Sequence, residues 1–342
     1  MEPNVTPHNL EAEKSVLGAV LLDERHLDSL IIEVGLRAEH FYREQYGLVY
    51  AAMLDLRALD RKIDHLTVAE TLRAAGQLER VGGAAALDEL TGGFQPGSLV
   101  VLAARPSMGK SALVANFAEN AALEGFGVVM FSLEMSESEL AQRFVASQAK
   151  IKGEALRRGR VPEREWPRIL TACSRMASTR MFVDDSSDTG LLEIRAKARR
   201  LHQGTEGPLG LIIVDYLQLM RADDRVVNRV EQVGQMSRGL KTLARELEVP
   251  VIALSQLSRA VEQRAEKKPI LSDLRESGQI EADADLIMFI YRDEAYIRDT
   301  ERPGEADIVI AKHRNGPTGE IILTFQKQYP KFMNYSGAEF GA

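Results

Sequence analysis

Residues 98–125 read "SLVVLAARPSMGKSALVANFAENAALEG". A short apolar run, Leu99 to Ala104, breaks at a polar turn, and the chain then enters a helical pattern rich in Ala and Leu. A buried strand that passes straight into a helix opens a strand–helix–strand crossover, the unit of parallel sheets. The turn ends in Gly109, Lys110 and Ser111, the close of the phosphate-loop pattern G-x-x-x-x-G-K-[ST]. Its first position is Ala104, a departure, because the first Gly ordinarily permits a tight backbone turn. The chemistry survives it, since N–H groups at a helix N-terminus bind phosphate oxygens whatever precedes them. On this reading Arg105, Pro106, Ser107, Met108 and Gly109 line the loop. Lys110 reaches the β- and γ-phosphates of ATP, and the Ser111 hydroxyl sits on Mg²⁺. The bland alternative is a strand–helix turn that spells Gly-Lys-Ser by chance.

The same texture continues downstream. "GVVMFSLE" (127–134), "RMFVDD" (180–185), "GLIIVDYLQL" (210–219), "VPVIALSQ" (249–256) and "ADLIMFIYR" (284–292) are short runs of Val, Ile and Leu. Helical stretches separate most of them, which indicates an α/β domain with a mostly parallel sheet and helices on both faces. Ligands in such folds gather at the carboxyl ends of the strands. Glu134, Asp215 and Gln256 each close an apolar run. Asp215 is placed to hold Mg²⁺ through water. Glu134 is placed to orient and deprotonate an attacking water, or is simply a helix-start acid before the capping box Ser136–Glu139. Gln256 could contact a γ-phosphate, or be a polar strand terminus.

Residues 1–90 carry helical spacing, as in Leu10, Leu17, Val20 and Leu21, with Thr6-Pro7 as an N-cap pair. They suggest little chemistry, and the aromatic group Phe41, Tyr42, Tyr46 and Tyr50 reads as core. A helical scaffold or docking domain (1–90) before an α/β domain (91–342) accounts for the 342 residues. The net charge of −7 argues against a uniformly basic surface but permits a basic channel. One cysteine, Cys173, excludes an intrachain disulfide and a Cys-rich zinc module. The start lacks a signal-peptide pattern and no stretch is long enough to span a membrane, so the expectation is a cytoplasmic protein.

Near the C-terminus, "IVIAKHRNGPTGEIILTF" (308–325) reads as a hairpin whose connection, around Asn315, Gly316 and Pro317, exceeds two residues. Lys312 and Arg314 share one strand face, and the return strand offers no carboxylate opposite them. Within one chain these cations have no evident partner, and a solvated edge that blocks strand pairing is the plain reading.

With these residues in hand the sequence strongly resembles the DnaB-type replicative DNA helicases, ring-forming members of the RecA-like superfamily. The matching stretches are "PHNLEAEKSVLGAVLLD", "LTGGFQPGSLVVLAARPSMGKSA", "FSLEMS", "LIIVDYLQLM", "VPVIALSQLSR", "DLRESGQIEADADLIMFIYRDE" and "AKHRNGPTGEIILTFQKQYPKF". They span nearly the whole chain in the family's order, and "ARPSMGK" with Ala first is common there. The resemblance implies an α/β RecA-like P-loop ATPase after a small all-α collar, with Glu134 as catalytic base, Asp215 as Walker B acid and Gln256 as γ-phosphate sensor. It places Arg275, Glu276 and Gly278 against single-stranded DNA phosphates, where the residues alone also permit an Arg275 salt bridge with Asp273 or Glu276. It makes Arg314 an arginine finger acting on the next subunit of a homo-hexamer, with Lys312 beside it. It also implies 5′→3′ movement on forked DNA, and docking of primase and of a helicase loader in the primosome. One feature departs: "VGGAAALDELTGGFQPG" (81–97) joins collar to motor directly, without the family's long connection and linker helix. Two other functions compete with the helicase: a RecA-type single-strand-binding recombination or repair ATPase without processive unwinding, and a non-motor ATP switch.

Overall fold

The computed structural model describes residues 10–42, 44–59, 61–63, 67–68, 71–72, 75, 87, 91–204, 207–221, 228–274, 278–297 and 299–335. The chain divides into two compact units, Met1–Ala85 and Ala86–Ala342. The smaller holds helices α1 (Leu10–Leu22), α2 (Arg25–Ser29) and α3 (Glu44–Ala58). Leu17, Val20, Leu27, Phe41, Tyr50, Met53 and Leu56 form its core, with Tyr46 packed at the margin. Tyr42 does not join them. It is 56% exposed, with its backbone N–H bonded to Glu13 Oε1 at 2.8 Å. Four aromatics close in sequence cannot all face inward, and Tyr42 falls in the bend between elements rather than on a helix face. Thr6 and Pro7 lie outside the described residues.

The larger unit is one nine-stranded sheet: β1 (Leu99–Ala104), β2 (Gly127–Ser132), β3 (Met181–Asp184), β4 (Leu209–Asp215), β5 (Val251–Gln256), β6 (Leu286–Tyr291), β7 (Glu305–His313), β8 (Gly319–Gln326) and β9 (Lys331–Asn334). The spatial order is β3-β2-β4-β5-β1-β6-β7-β8-β9. The first six in that order run parallel, and β7, β8 and β9 extend the sheet antiparallel. All six apolar runs identified in the sequence are strands, and 308–325 is the expected hairpin. Its pairing stops at Ile310 and Gly319, so the connection is long, as Pro317 requires.

β1 is buried on both faces because successive side chains serve different layers. Val100, Leu102 and Ala104 pack with α4 (Lys110–Leu123), which follows the phosphate loop. Leu99, Val101 and Ala103 pack with α9 (Arg229–Leu247) on the opposite face, beside α8 (Leu191–His202). Helices α5 (Glu137–Ala149), α6 (Gly153–Arg157) and α7 (Trp166–Ala177) follow β2, and α10 (Gly278–Asp283) precedes β6. Among the described residues no helix is long and apolar enough to cross a membrane.

The end of the sheet is tied to the phosphate-loop helix by one buried polar contact, Phe332 N–H to Asn116 Oδ1 at 2.8 Å. Truncating Asn116 leaves that N–H unpaired in the interior, so Asn116→Ala is expected to cost about 1–3 kcal/mol. Urea unfolding measures it; a loss within a few tenths of zero would mean that β9 is held otherwise.

Candidate active site

Four segments converge at the carboxyl edge of the parallel strands. β1 leads into the phosphate loop, and Gln256 closes β5 directly opposite Ala104. Asp215 closes β4 opposite Ser132, and Glu134 follows just beyond the end of β2. The crossover topology thus brings together residues that are far apart in sequence.

Left-handed backbone in the loop falls at Ser107 (φ 66°) and Gly109 (φ 97°), whereas Ala104 is an ordinary strand residue. A first glycine is therefore not needed here, because the turn's strain is taken three residues later. Arg292 Nη1 donates to the Ser107 carbonyl at 3.2 Å and its guanidinium stacks 4.1 Å from the Phe325 ring centroid. A Cβ on Gly109 would lie 2.9 Å from Phe332 Cζ, so only glycine fits between loop and aromatic pair. Met108 is buried in the core. Arg105 donates to Leu257 O and to Glu262 Oε1, each at 2.8 Å, so its charge is committed to shaping the loop.

Lys110 opens α4 with its ammonium 4.6 Å from the Tyr216 ring centroid and 3.4 Å from Ser255 O. Burial pushes its pKa down, against the pull of Asp215 and Glu134. Asp215 is fully buried, and among the described residues neither carboxylate oxygen has a partner that meets hydrogen-bond geometry. Burial pushes its pKa up and Glu134 adds to this, while Lys110, Ser111 and Arg143 oppose it. Buried carboxylates are normally paired or on a metal, so two orphaned oxygens beside a phosphate loop describe half of a cation site. Ser111 and Asp215 supply hard oxygen donors of the kind that would hold Mg²⁺ together with phosphate and water. The residues present therefore fit a magnesium nucleotide.

Two contributors escaped the sequence reading. Arg143, two turns into α5, has its pKa lowered by burial while Asp215, Glu139 and Glu134 pull it the other way. Nothing in "ELAQRF" distinguishes it from a solvated helix arginine; only the Ser136–Glu139 capping box, which the structure contains, fixes which face turns inward. Gln218 donates to Ser255 Oγ at 2.8 Å and accepts from Gln256 N–H at 3.3 Å, bracing the strand end that carries Gln256.

The hairpin cations are elsewhere. Leu286 begins β6 opposite His313, and Val100 pairs with Leu286, so Lys312 and Arg314 stand at the amino edge of the sheet. The six residues of β1 separate the two edges by about 17 Å. The pair is not free of partners, contrary to the sequence reading. Lys312 Nζ donates to Glu281 O and to Ala284 O, the latter at 2.8 Å. Arg314 Nη2 donates to Ala282 O at 3.0 Å, and Nη1 lies 3.4 Å from Asp285 Oδ1. The partners belong to the segment before β6, which the hairpin sequence could not reveal. Arg275 and Glu276 lie outside the described residues. Gly278 is exposed at the start of α10, and Asp273 is held by Arg264 at 2.7 Å.

Because Asp215 carries its charge at a burial cost, its folded-state pKa exceeds the unfolded one, and this cost is present above the unfolded pKa and absent below it. Asp215→Asn is thus expected to stabilise the nucleotide-free protein at neutral pH by on the order of 1–3 kcal/mol. The same variant should lose the extra stabilisation that Mg²⁺ with nucleotide confers. Thermal unfolding with and without both ligands reads the two effects; a destabilised apo variant would contradict the orphan-carboxylate account.

A family model described as the DnaB-like helicase C-terminal domain matches residues 81–334, and one described as the N-terminal domain matches residues 5–100. The replicative DNA helicase DnaB of Leifsonia xyli is 40% identical over 337 residues, 95% of this chain and 72% of the relative. That of Buchnera aphidicola (subsp. Schizaphis graminum) is 34% identical over 446 positions, 98% of this chain and 95% of the relative. The alignment is over a hundred positions longer than the chain's 342 residues, so the relative carries sequence that this chain lacks. A solved DnaB-like replicative helicase, described with its interactions with primase, superposes with a TM-score of 0.71 at 30% identity, covering 96% of this chain and all of that one. The two domain matches in order, and a relative aligned over 95% of its length, place this chain in the DnaB-like replicative DNA helicase family.

Proposed function

We propose that this chain is the motor subunit of a homo-hexameric ring that hydrolyses ATP to move 5′→3′ on single-stranded DNA and part the duplex at a replication fork. The observation that carries the reading is the division of charges between the two edges of one sheet. Phosphate loop, Glu134 and Asp215 occupy the carboxyl edge, and Arg314 the amino edge, out of reach of its own Lys110. Ring neighbours supply what one subunit lacks. Mg²⁺ held by Ser111 and Asp215 would neutralise charge on the phosphates. Lys110 binds the β- and γ-phosphates, Glu134 takes the proton of the attacking water, and Gln256 senses the γ-phosphate. Arg314 reaches across from the next subunit to stabilise charge in the transition state. Arg275, Glu276 and Gly278 hold the DNA backbone without regard to sequence, as a motor that steps over any base requires.

Residues 1–90 serve as collar, docking primase and a loader in the replisome of the cytoplasm. The exposed Ile32 and Val34 of the smaller unit support a docking role, as does the solved relative described with primase. The sequence that the Buchnera relative has in excess corresponds in this reading to the connection missing at residues 81–97. The relatives are named replicative helicases, which favours unwinding over a strand-binding recombination ATPase.

A forked-DNA unwinding assay with ATP and Mg²⁺ tests the reading. Lys110→Ala and Glu134→Ala are each expected to abolish unwinding, and normal unwinding by both would overturn the site. Arg314→Ala should keep nucleotide binding and lose hydrolysis by about 10³-fold. Mixed with Lys110→Ala subunits it should regain part of the ATPase at shared interfaces; no recovery would count against action in trans.

A further inference from the structure

α10 is six residues long, too short to hold itself, and its last carbonyls have no partners within the helix. It begins with Gly278 and follows Arg275 and Glu276 in the sequence, the three residues assigned above to the DNA backbone. Three of the carbonyls at its end, those of Glu281, Ala282 and Ala284, are taken by Lys312 and Arg314. Cations at a helix C-terminus are favourable both as donors and against the dipole.

Asp285, the next residue, ties the assembly to the sheet. Its Oδ2 accepts from Leu99 N–H at 2.8 Å and from Lys241 Nζ at 2.5 Å, its Oδ1 faces Arg314, and its carbonyl accepts from Arg314 N–H at 2.8 Å. Burial alone would raise its pKa, but Lys241, Leu99 N–H and Arg314 together hold the carboxyl below its usual range. Gly234 of α9 lies so close to Gln279 that a Cβ there would sit 2.9 Å from Gln279 Cγ, and Ile280 is fully buried. One side of α10 is thus fixed by packing, while its C-terminal end is fixed by two side chains of the hairpin.

We infer that Asp285 and the C-terminal carbonyls of α10 form a latch for Lys312 and Arg314, which release α10 when they engage the nucleotide of the neighbouring subunit. A guanidinium cannot bond Ala282 O and Asp285 and also reach across an interface, so the two uses compete. Nucleotide at one interface would then set how firmly the DNA loop of the same subunit is held. Asp285 is the positioning residue of this device. The inference rests on the trans role proposed for Arg314.

Hydrogen exchange of the peptide 278–285 in the full-length assembled protein tests it, with and without a non-hydrolysable ATP analogue and Mg²⁺. In the wild type the analogue is expected to speed exchange roughly tenfold, the size that follows from losing two terminal cation contacts together. Lys312→Met should exchange fast without nucleotide and respond little to it. Asp285→Asn keeps an acceptor for Leu99 N–H while losing the charge that faces Arg314, and should lie between the two; it decides the matter if Lys312→Met does not fold. Should wild-type exchange be the same with and without the analogue while Arg314→Ala loses hydrolysis, the latch is wrong and the trans role stands. Should Arg314→Ala hydrolyse ATP normally, the premise itself falls.

Discussion

β7 runs antiparallel to β6, so a chain that brings its phosphate loop to one edge of the sheet returns its hairpin cations to the other. The register is set by burial: Ile308 and Ile310 pack in the same layer as Met288 and Ile290, and a one-residue slip would turn them outward. The phosphate loop and the hairpin cations are therefore held apart by the length of a six-residue strand. No side-chain rearrangement closes that gap within one subunit. Under the action in trans proposed for Arg314, dependence on a neighbour would follow from strand direction, with the polar residues at either edge only realising it.

Support for the phosphate loop comes from the same antiparallel extension. Phe325 of β8 and Phe332 of β9 lie 4.7 Å apart beneath Gly109, and Arg292 at the end of β6 reaches the Ser107 carbonyl while stacking on Phe325. Arg292 is buried, with its pKa lowered to about 10. That burial is offset by the ion pair with Glu294 and by the Phe325 ring face, which leaves Nη1 to hold the carbonyl of a serine in left-handed backbone. The strands that carry the amino-edge cations thus also stiffen the carboxyl-edge loop.

The elements legible in the sequence are those whose physics is local. Six apolar runs become strands because each is bounded by turn residues, and Ser136–Glu139 caps α5 because the motif closes within four residues. Ala104 reads as a departure that the family resemblance makes harmless, but the physical reason, left-handed backbone at Ser107 and Gly109 instead, is not written in the sequence. Arg143, Gln218, Arg292 and Asp285 act across long sequence separations, and nothing nearby in the chain distinguishes them from ordinary surface or strand-end residues. The same limit explains the hairpin cations. The return strand offers them no partner, whereas the structure supplies partners from the end of α10 and the two residues after it. Tyr42 failed for the opposite reason, because proximity to three core aromatics says nothing about direction in a bend.

Both charged groups at the centre of the nucleotide site are held in states that disfavour their charge. Burial lowers the pKa of Lys110 and raises that of Asp215, and each is the other's principal compensation. Mutual attraction is not enough to satisfy either one: among the described residues no group meets hydrogen-bond geometry at Asp215, and Lys110 has a long contact to a carbonyl and the face of the Tyr216 ring. Replacing this pair by apolar groups of similar volume would ease the fold, so the pair is a stability cost in the empty site. A phosphate brings negative charge to Lys110 and a cation brings positive charge to Asp215, and the two together remove both penalties at once. Binding either alone relieves one group and leaves the other buried and uncompensated. The buried pair therefore fits the magnesium complex of a nucleotide, whose phosphate would meet Lys110 and whose cation would meet Asp215.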